Sequence, residues 1–479
     1  LSEPEISIEK KHLNQTQKLS ERVNALWMRV APTERQRLFV LTLISGALCG
    51  LAAVAFHLGM DKASTLLIDR AMAAPQNSWM WWTILTPTIG GVVVGLGLRY
   101  WVPGAVGSGI PQVKTAYALN AGRVPFRDAF GKFVLGIIQV GSGGSLGREG
   151  PTVQVCAGVS NLLARAAKLS RQSQRRMASV GVAAGIAAAF NAPIAAVTFT
   201  VEEVVGDLDQ TVLTGIIVAA AIAAAVERGV LGQQPVFQVT KQYAQGPASS
   251  LVSYAVLGVL AAVVAVTFTD SLLKLRSGFK KFTAVPPWVH PGIGGAMTGT
   301  LAVIAMMWLR QGGVTGSGYG TLNKALDGSL PLQALMALCV LKLAATVWSY
   351  ASGGAGGIFA PALFIGGMLG GAVGTLDMML FHHGPDTVAA FALVGMGAVF
   401  AGIIRAPITS VLIIFEMTGS YGLILPLMIA NMSAYALARH WRKTPIYEAL
   451  LEQDGVVLPH GKATMPENPA TVVTGEKLP

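Results

Sequence analysis

GSLGREGP at residues 144–151 recurs as GAGGIFAP at residues 354–361, an offset of 210. Two further matches lie close to the same register. GAVGSGIP, residues 104–111, returns as GVTGSGYG, residues 313–320, at an offset of 209. Asn191-Ala192-Pro193-Ile194, followed by Glu202, returns as Arg405-Ala406-Pro407-Ile408, followed by Glu416, at an offset of 214. Three matches in one order at nearly one spacing make the chain two related halves, spanning 38–235 and 250–440. A polar segment, 1–37, precedes them and a short tail, 441–479, follows. The repeated runs share a physical form, in which glycines stand just before a segment able to start a helix. Glycine lets backbone N–H groups approach a ligand closely, and a helix N-terminus adds about half a positive charge. GSGIP, GREGP and GGIFAP together could aim three helix starts at one point, which would favour an anion without a full countercharge.

The surrounding composition puts these motifs in a membrane. Of 479 residues, 52% are hydrophobic and only 12% are charged, with a mean hydropathy of +0.55. A soluble domain carries about 25% charged residues. Glycine and proline number 56 and 24, an unusual load of helix breakers. Eight stretches hold no Asp, Glu, Lys or Arg: 38–60, 71–98, 177–201, 242–269, 282–309, 343–376, 387–404 and 417–438. About 20 apolar residues cross a hydrocarbon core. The longer stretches contain Gly or Pro and read as two shorter helices with a break. The expected fold is an all-α polytopic membrane protein of two repeats built from tilted and broken helices.

Loop charge orients the halves. The span at 38–60 follows a segment with seven basic residues, whereas the first span of the second half is followed by Lys274, Arg276, Lys280 and Lys281. The order of basic and neutral ends is reversed, so the repeats are expected to be inverted, with both chain ends cytoplasmic. The net charge of +11 is read as cytoplasmic loops and anionic lipid contact, not as nucleic-acid binding. Cys49, Cys156 and Cys339 form no CxxC pair, the seven histidines show no metal spacing, and residues 1–37 are too charged for a signal peptide's apolar region. No cofactor is expected. A membrane-embedded enzyme would need a metal or nucleophile constellation, and none of the usual patterns is present.

The chain resembles the CLC family of chloride channels and chloride/proton exchangers, in its prokaryotic form without cytoplasmic regulatory domains. The matching residues are Gly107-Ser108-Gly109-Ile110-Pro111, Gly147-Arg148-Glu149-Gly150-Pro151, Gly356-Gly357-Ile358-Phe359-Ala360-Pro361, Glu202-Glu203, Glu416-Met417-Thr418 and Pro445-Ile446-Tyr447. The resemblance covers roughly 38–450. It implies a homodimer in the plasma (inner) membrane, with one pathway per subunit. It places the dimer contact on 193–202, 211–230, 405–417 and 421–438, where Ile222 and Leu423 are candidates to face the partner.

The residues carry separate expectations. A buried carboxylate costs about 2.5–3.5 kcal/mol on insertion scales, so Glu149 is either paired with Arg148 or functional. Next to a helix start, its carboxylate could occupy the anion site itself and leave on protonation. The resemblance implies that role, an external gate and proton carrier. It makes Glu203 the internal proton acceptor and Glu202 a supporting water-access residue, with Glu416 structural. The Ser108 hydroxyl can donate to an anion or cap its own helix; the resemblance puts it, Tyr447 and the backbone of Ile358 and Phe359 around the central chloride. Gly107, Arg148 and Gly150 belong to the same motifs and complete the anion-binding set. Relatives selective for nitrate tend to carry Pro where this chain has Ser108. Glu149 and Glu203 together imply an antiporter exchanging chloride for protons; the alternative is a passive chloride channel of the same fold.

Overall fold

The computed structural model describes residues 33–206, 210–232, 250–384 and 386–458. Most of the segment 1–37, the Asp207–Asp209 link, the loop containing Lys241, and residues 459–479 of the tail lie outside the described residues. Those that are described fold into helices, with no β-strand among them. The first half contains α1 (Glu34–Ser64), α2 (Ser78–Tyr100), α3 (Ile110–Leu119), α4 (Phe126–Gly141), α5 (Glu149–Ala166), α6 (Arg171–Phe190), α7 (Pro193–Phe199) and α8 (Gln210–Leu231). The second half repeats the order with α9 (Ser250–Lys281), α10 (His290–Leu309), α11 (Tyr319–Leu326), α12 (Leu332–Ala351), α13 (Phe359–Phe381), α14 (Asp386–Ile404), α15 (Pro407–Thr418) and α16 (Ile424–Trp441). A last helix, α17 (Ile446–Gln453), follows.

Helices break where the sequence carries its breakers. Within the uncharged stretch 177–201, α6 stops at Asn191, whose φ of 53° is left-handed, and α7 starts at Pro193. Proline fits there because the first helical N–H has no partner within the helix. Within 343–376, residues 352–358 separate α12 from α13. Stretch 387–404 is one helix, as its lack of any interior proline allows. Nine helical runs among the described residues are long and apolar enough to cross a membrane.

The core is organised around α13 and α14, which are buried along nearly their whole length. In lipid, apolar side chains gain little by leaving the bilayer, so helices associate through close packing. Gly366 of α13 and Gly395 of α14 let the two backbones touch; a Cβ on either would overlap the other's carbonyl oxygen. The counterparts α2 and α10 cross in the same way through Gly91 and Gly295. Outer helices show large side chains to the surroundings, among them Leu51, Trp81, Trp82, Ile89 and Trp308.

Helices α7, α8, α15 and α16 leave Ile194, Ile217, Ile408, Leu425, Met428 and Met432 exposed. Leu423, expected to face a partner, is instead fully buried in its own chain. Ile222 is half-buried and packs beside Gly46 of α1. A helix free of charge on every side gives no sequence signal for which side faces inward.

Candidate functional site

Three helix starts meet near the centre of the fold. Gly109, in the left-handed region at φ 96°, turns the chain into α3. A Cβ on Gly150 would overlap the Ser108 carbonyl oxygen, so α3 and α5 reach each other only because residue 150 is glycine. Gly147 and Gly357 exchange both backbone hydrogen bonds, at 2.7 and 2.8 Å, which joins the starts of α5 and α13. The Gly107 N–H donates to the Gly354 carbonyl at 3.1 Å. The GSGIP, GREGP and GGIFAP runs are thus brought together, with α3 and α5 from one repeat and α13 from the other.

Each Gly-Ser-Gly turn rests on a buried lysine. Lys132 of α4 donates to the Gly107 carbonyl at 2.6 Å. Lys342 of α12 donates to the carbonyls of Gly313, Val314 and Gly316 at 3.0, 3.1 and 2.6 Å. Both side chains are fully buried. Their Nζ atoms hold the turns through backbone carbonyls. The two lysines stand at the repeat's own offset of 210, which the short glycine runs alone do not mark.

Glu149 is fully buried. Its Oε1 accepts from the Tyr319 hydroxyl at 2.6 Å, and its Oε2 accepts from the Ala360 N–H at 3.3 Å. The carboxylate therefore sits at the N-terminus of α13, across the repeat boundary from its own helix. Arg148 is not its partner among the described residues. That guanidinium donates to the Ala189 carbonyl at 3.4 Å and lies 5.9 Å from the Tyr319 ring centroid. Tyr319 escaped the sequence reading, although it holds the repeat position of Ile110. Phe359 packs against Phe190, Phe199 and Phe400, with ring centroids 5.0, 5.4 and 4.3 Å away. This aromatic cluster keeps the start of α13 in a low-dielectric setting, where charge interactions are strong.

Ser108 is fully buried. Its Oγ accepts from the Ile110 N–H at 3.3 Å, and its own N–H donates to the Tyr350 hydroxyl at 3.3 Å. Accepting from its own helix leaves the hydroxyl hydrogen able to donate outward, so capping and anion binding are compatible. The first N–H groups of α13, including those of Ile358 and Phe359, point away from any intrahelical partner, as at every helix start. Tyr447 opens α17, which packs on α3. It is 1% exposed, and its phenol oxygen has no hydrogen-bond partner among the described residues. A buried hydroxyl in that condition costs energy unless a ligand satisfies it.

The adjacent acids Glu202 and Glu203 have different surroundings. Glu203 is buried, and its Oε1 lies 2.6 Å from the Lys114 ammonium on α3. Glu202 accepts from the Ile408 N–H at 3.2 Å and from the Thr409 N–H and hydroxyl at 2.8 and 2.6 Å. Both of its oxygens cap α15. Glu416 accepts from the N–H groups of Ile194 and Ala195 at 2.9 and 2.7 Å and caps α7. A cavity of about 780 Å³, lined in part by His57, Asp61, Ser317 and Lys324, reaches Arg148 and Tyr319, the two side chains that flank Glu149.

The model of the voltage gated chloride channel family matches residues 90–439. The H(+)/Cl(−) exchange transporter ClcA of Salmonella paratyphi A is 30% identical over 421 residues, covering 85% of this chain and 86% of the relative. Among solved structures, a slow cyanobacterial Cl−/H+ antiporter superposes with a TM-score of 0.79 at 26% identity, over 87% of this chain and 98% of the other. A CLC-type fluoride/proton antiporter gives a TM-score of 0.69 at 25% identity, over 86% of this chain and 97% of the other.

Proposed function

This chain belongs to the voltage-gated chloride channel family, and from that premise we propose that it is a secondary active antiporter exchanging chloride for protons. The observation that carries this reading is the seat of Glu149: an ionisable side chain, fully buried, bound at a helix start of the opposite repeat. A helix start is where a small anion would bind. The carboxylate occupies it as a tethered anion.

Protonation of Glu149 removes the charge that the Ala360 N–H and the helix dipole favour. The neutral side chain then leaves, and chloride takes the vacated position. When chloride passes on and the proton is released, the carboxylate returns. One side chain thereby alternates between blocking the anion path and carrying a proton. Glu203 supplies protons from the other side as the internal acceptor. Gly107, Ser108, Arg148, Gly150, Ile358, Phe359 and Tyr447 form the anion path, with the Ser108 hydroxyl and the Tyr447 phenol as side-chain donors and the others contributing backbone or nearby charge. Binding by neutral donors suits transport, because a full countercharge would hold the anion too tightly to release it.

In this reading the protein lies in a plasma (inner) membrane, both chain ends are cytoplasmic, and the cavity bounded by Arg148 and Tyr319 opens outward. It works as a homodimer with one pathway in each subunit. The test is purified protein in liposomes under a chloride gradient with no proton gradient. Uphill proton movement, cancelled when a proton ionophore is added, is the expected result. Chloride flux with no proton movement would instead make it a passive channel.

A further inference from the structure

We propose that Glu448 is the residue through which protons from the inner solution reach Glu203, and that Lys114 couples the two carboxylates. The inference rests on the reading of Glu203 as the internal acceptor. The Lys114 ammonium lies 2.6 Å from Glu203 Oε1 and 3.5 Å from Glu448 Oε1. The side chains of Glu203 and Lys114 are 5% and 9% exposed, whereas that of Glu448 is 29% exposed. Glu203 can therefore not exchange protons readily with bulk water, while Glu448 can. Two carboxylates within reach of one ammonium are at most about 6 Å apart at these oxygens, a gap that one bridging water spans.

The charges make this cluster suited to holding a single proton. With both acids ionised, the Lys114 ammonium is shared between two carboxylates. Adding one proton relieves that competition, and the ammonium bonds whichever acid remains ionised. A proton that enters at Glu448 releases Lys114 toward Glu203; a proton that moves on to Glu203 releases Lys114 back toward Glu448. The proton transfers from one carboxyl oxygen to the other, and the ammonium keeps all three of its own hydrogens. Among the described residues, no other acid nearby fits the task. Glu202, the remaining carboxylate facing Glu203, has both oxygens held at the start of α15. On α9, which also packs on α17, Arg276 and Lys280 are engaged with Asp454 at the far end of that helix.

The placement also ties the proton route to the anion site. Helix α3 carries Lys114 and begins just after Ser108; α17 carries Glu448 next to Tyr447. Both side chains that handle the proton's arrival are thus on the helices that carry the two side-chain donors to the anion.

The test uses the full-length protein in liposomes, with proton and chloride flux measured together while internal pH is varied. Glu448→Gln should lower the ratio of protons to chloride at least threefold and flatten the dependence of proton flux on internal pH. Glu448→Asp should restore most of both. Lys114→Gln should move the half-point of that dependence to higher pH, because two carboxylates without an ammonium repel and one takes up a proton more readily. The double variant Glu203→Gln/Glu448→Gln should be no worse than Glu203→Gln alone, since the two act in series. A Glu448→Gln protein with the parental ratio and the parental pH profile would overturn the proposal. So would a Glu448→Asp protein as impaired as Glu448→Gln, which would mark a packing defect. Glu203→Gln retaining full coupling would instead remove the premise that Glu203 is the internal acceptor, whatever Glu448 does.

Discussion

Glu202 and Glu416 each cap a helix that belongs to the other's repeat. Glu202 binds the first N–H groups of α15, and Glu416 binds those of α7. Helices α7 and α15 are counterparts, so the exchange is reciprocal. Hydrogen bonds from backbone N–H to a carboxylate contribute about 1.5–3 kcal/mol each, and the positive helix end adds to this. The two acids fasten the halves together at a place where both helices carry Pro at their start and their N-cap residues make no side-chain cap.

From that reciprocity, Glu202→Ala and Glu416→Ala should behave alike. Each should lower the thermal midpoint of the detergent-solubilised protein by several degrees, and neither should change the ratio of protons to chloride. The measurement is fluorescence-detected unfolding beside liposome flux. A Glu202→Ala protein that is stable but uncoupled would return this acid to the proton path.

Glu149→Gln should abolish proton movement while chloride still passes. The amide has the shape of the protonated acid but cannot titrate, and it lacks the charge that seats the side chain at α13. Parallel chloride-electrode and pH-electrode traces from one liposome preparation decide the matter. Coupled proton pumping by this variant would exclude Glu149 as gate.

Tyr319→Phe removes the 2.6 Å hydrogen bond to Glu149 Oε1 while keeping the ring beside Arg148. A donor to a charged acceptor contributes about 1.5–3 kcal/mol, and it favours the ionised, seated carboxylate. Without it, chloride should displace the gate more easily. Chloride turnover should rise. Unchanged turnover would make the contact incidental.

How much of this was legible follows from how each signal is written in the chain. The three helix starts could be read because each depends on a short local run, and inverted duplication printed those runs twice. Glu149 could be singled out because a lone acid in an apolar, glycine-flanked run has few bland explanations. The ties of Lys114, Tyr319 and Glu202 could not, because their partners lie far along the chain: Lys114 is 334 residues from Glu448, and Tyr319 is 170 from Glu149. No periodicity encodes such contacts. Glu202 illustrates the limit well. An acid at the end of an uncharged span reads as water-facing, and only the approach of α15 from the other half turns it into a cap. Lys132 and Lys342 are legible in the sequence, since they stand at the repeat offset of 210.

Ser108→Pro should shift anion preference from chloride toward nitrate. The change removes the hydroxyl donor and also the N–H that meets Tyr350, so Ser108→Ala serves as the control that removes only the hydroxyl. If the hydroxyl contributes to chloride binding, both variants should weaken chloride competition in flux assays, and only Ser108→Pro should favour nitrate. An anion ranking unchanged in both would leave Ser108 as a helix cap alone.

The fold leaves large apolar side chains uncovered on four of its helices. On α7, α8, α15 and α16, Ile194, Ile217, Ile408, Leu425, Met428 and Met432 are exposed on helices where lipid or a second subunit must cover them. A Trp placed at a packed interface forces the partners apart, whereas the same Trp against fluid lipid is accommodated. Ile217→Trp and Ile408→Trp should therefore convert a dimer to monomers in size-exclusion chromatography with light scattering, and the monomers should still exchange chloride for protons. The substitution at Leu423 has a different expected effect. That side chain is buried within its own subunit, so Leu423→Trp should destabilise the fold and reduce transport without acting selectively on association. If Ile217→Trp and Ile408→Trp leave the dimer intact, these faces meet lipid and the subunit contact lies elsewhere. If the monomers form but carry no flux, the claim of one independent pathway per subunit fails.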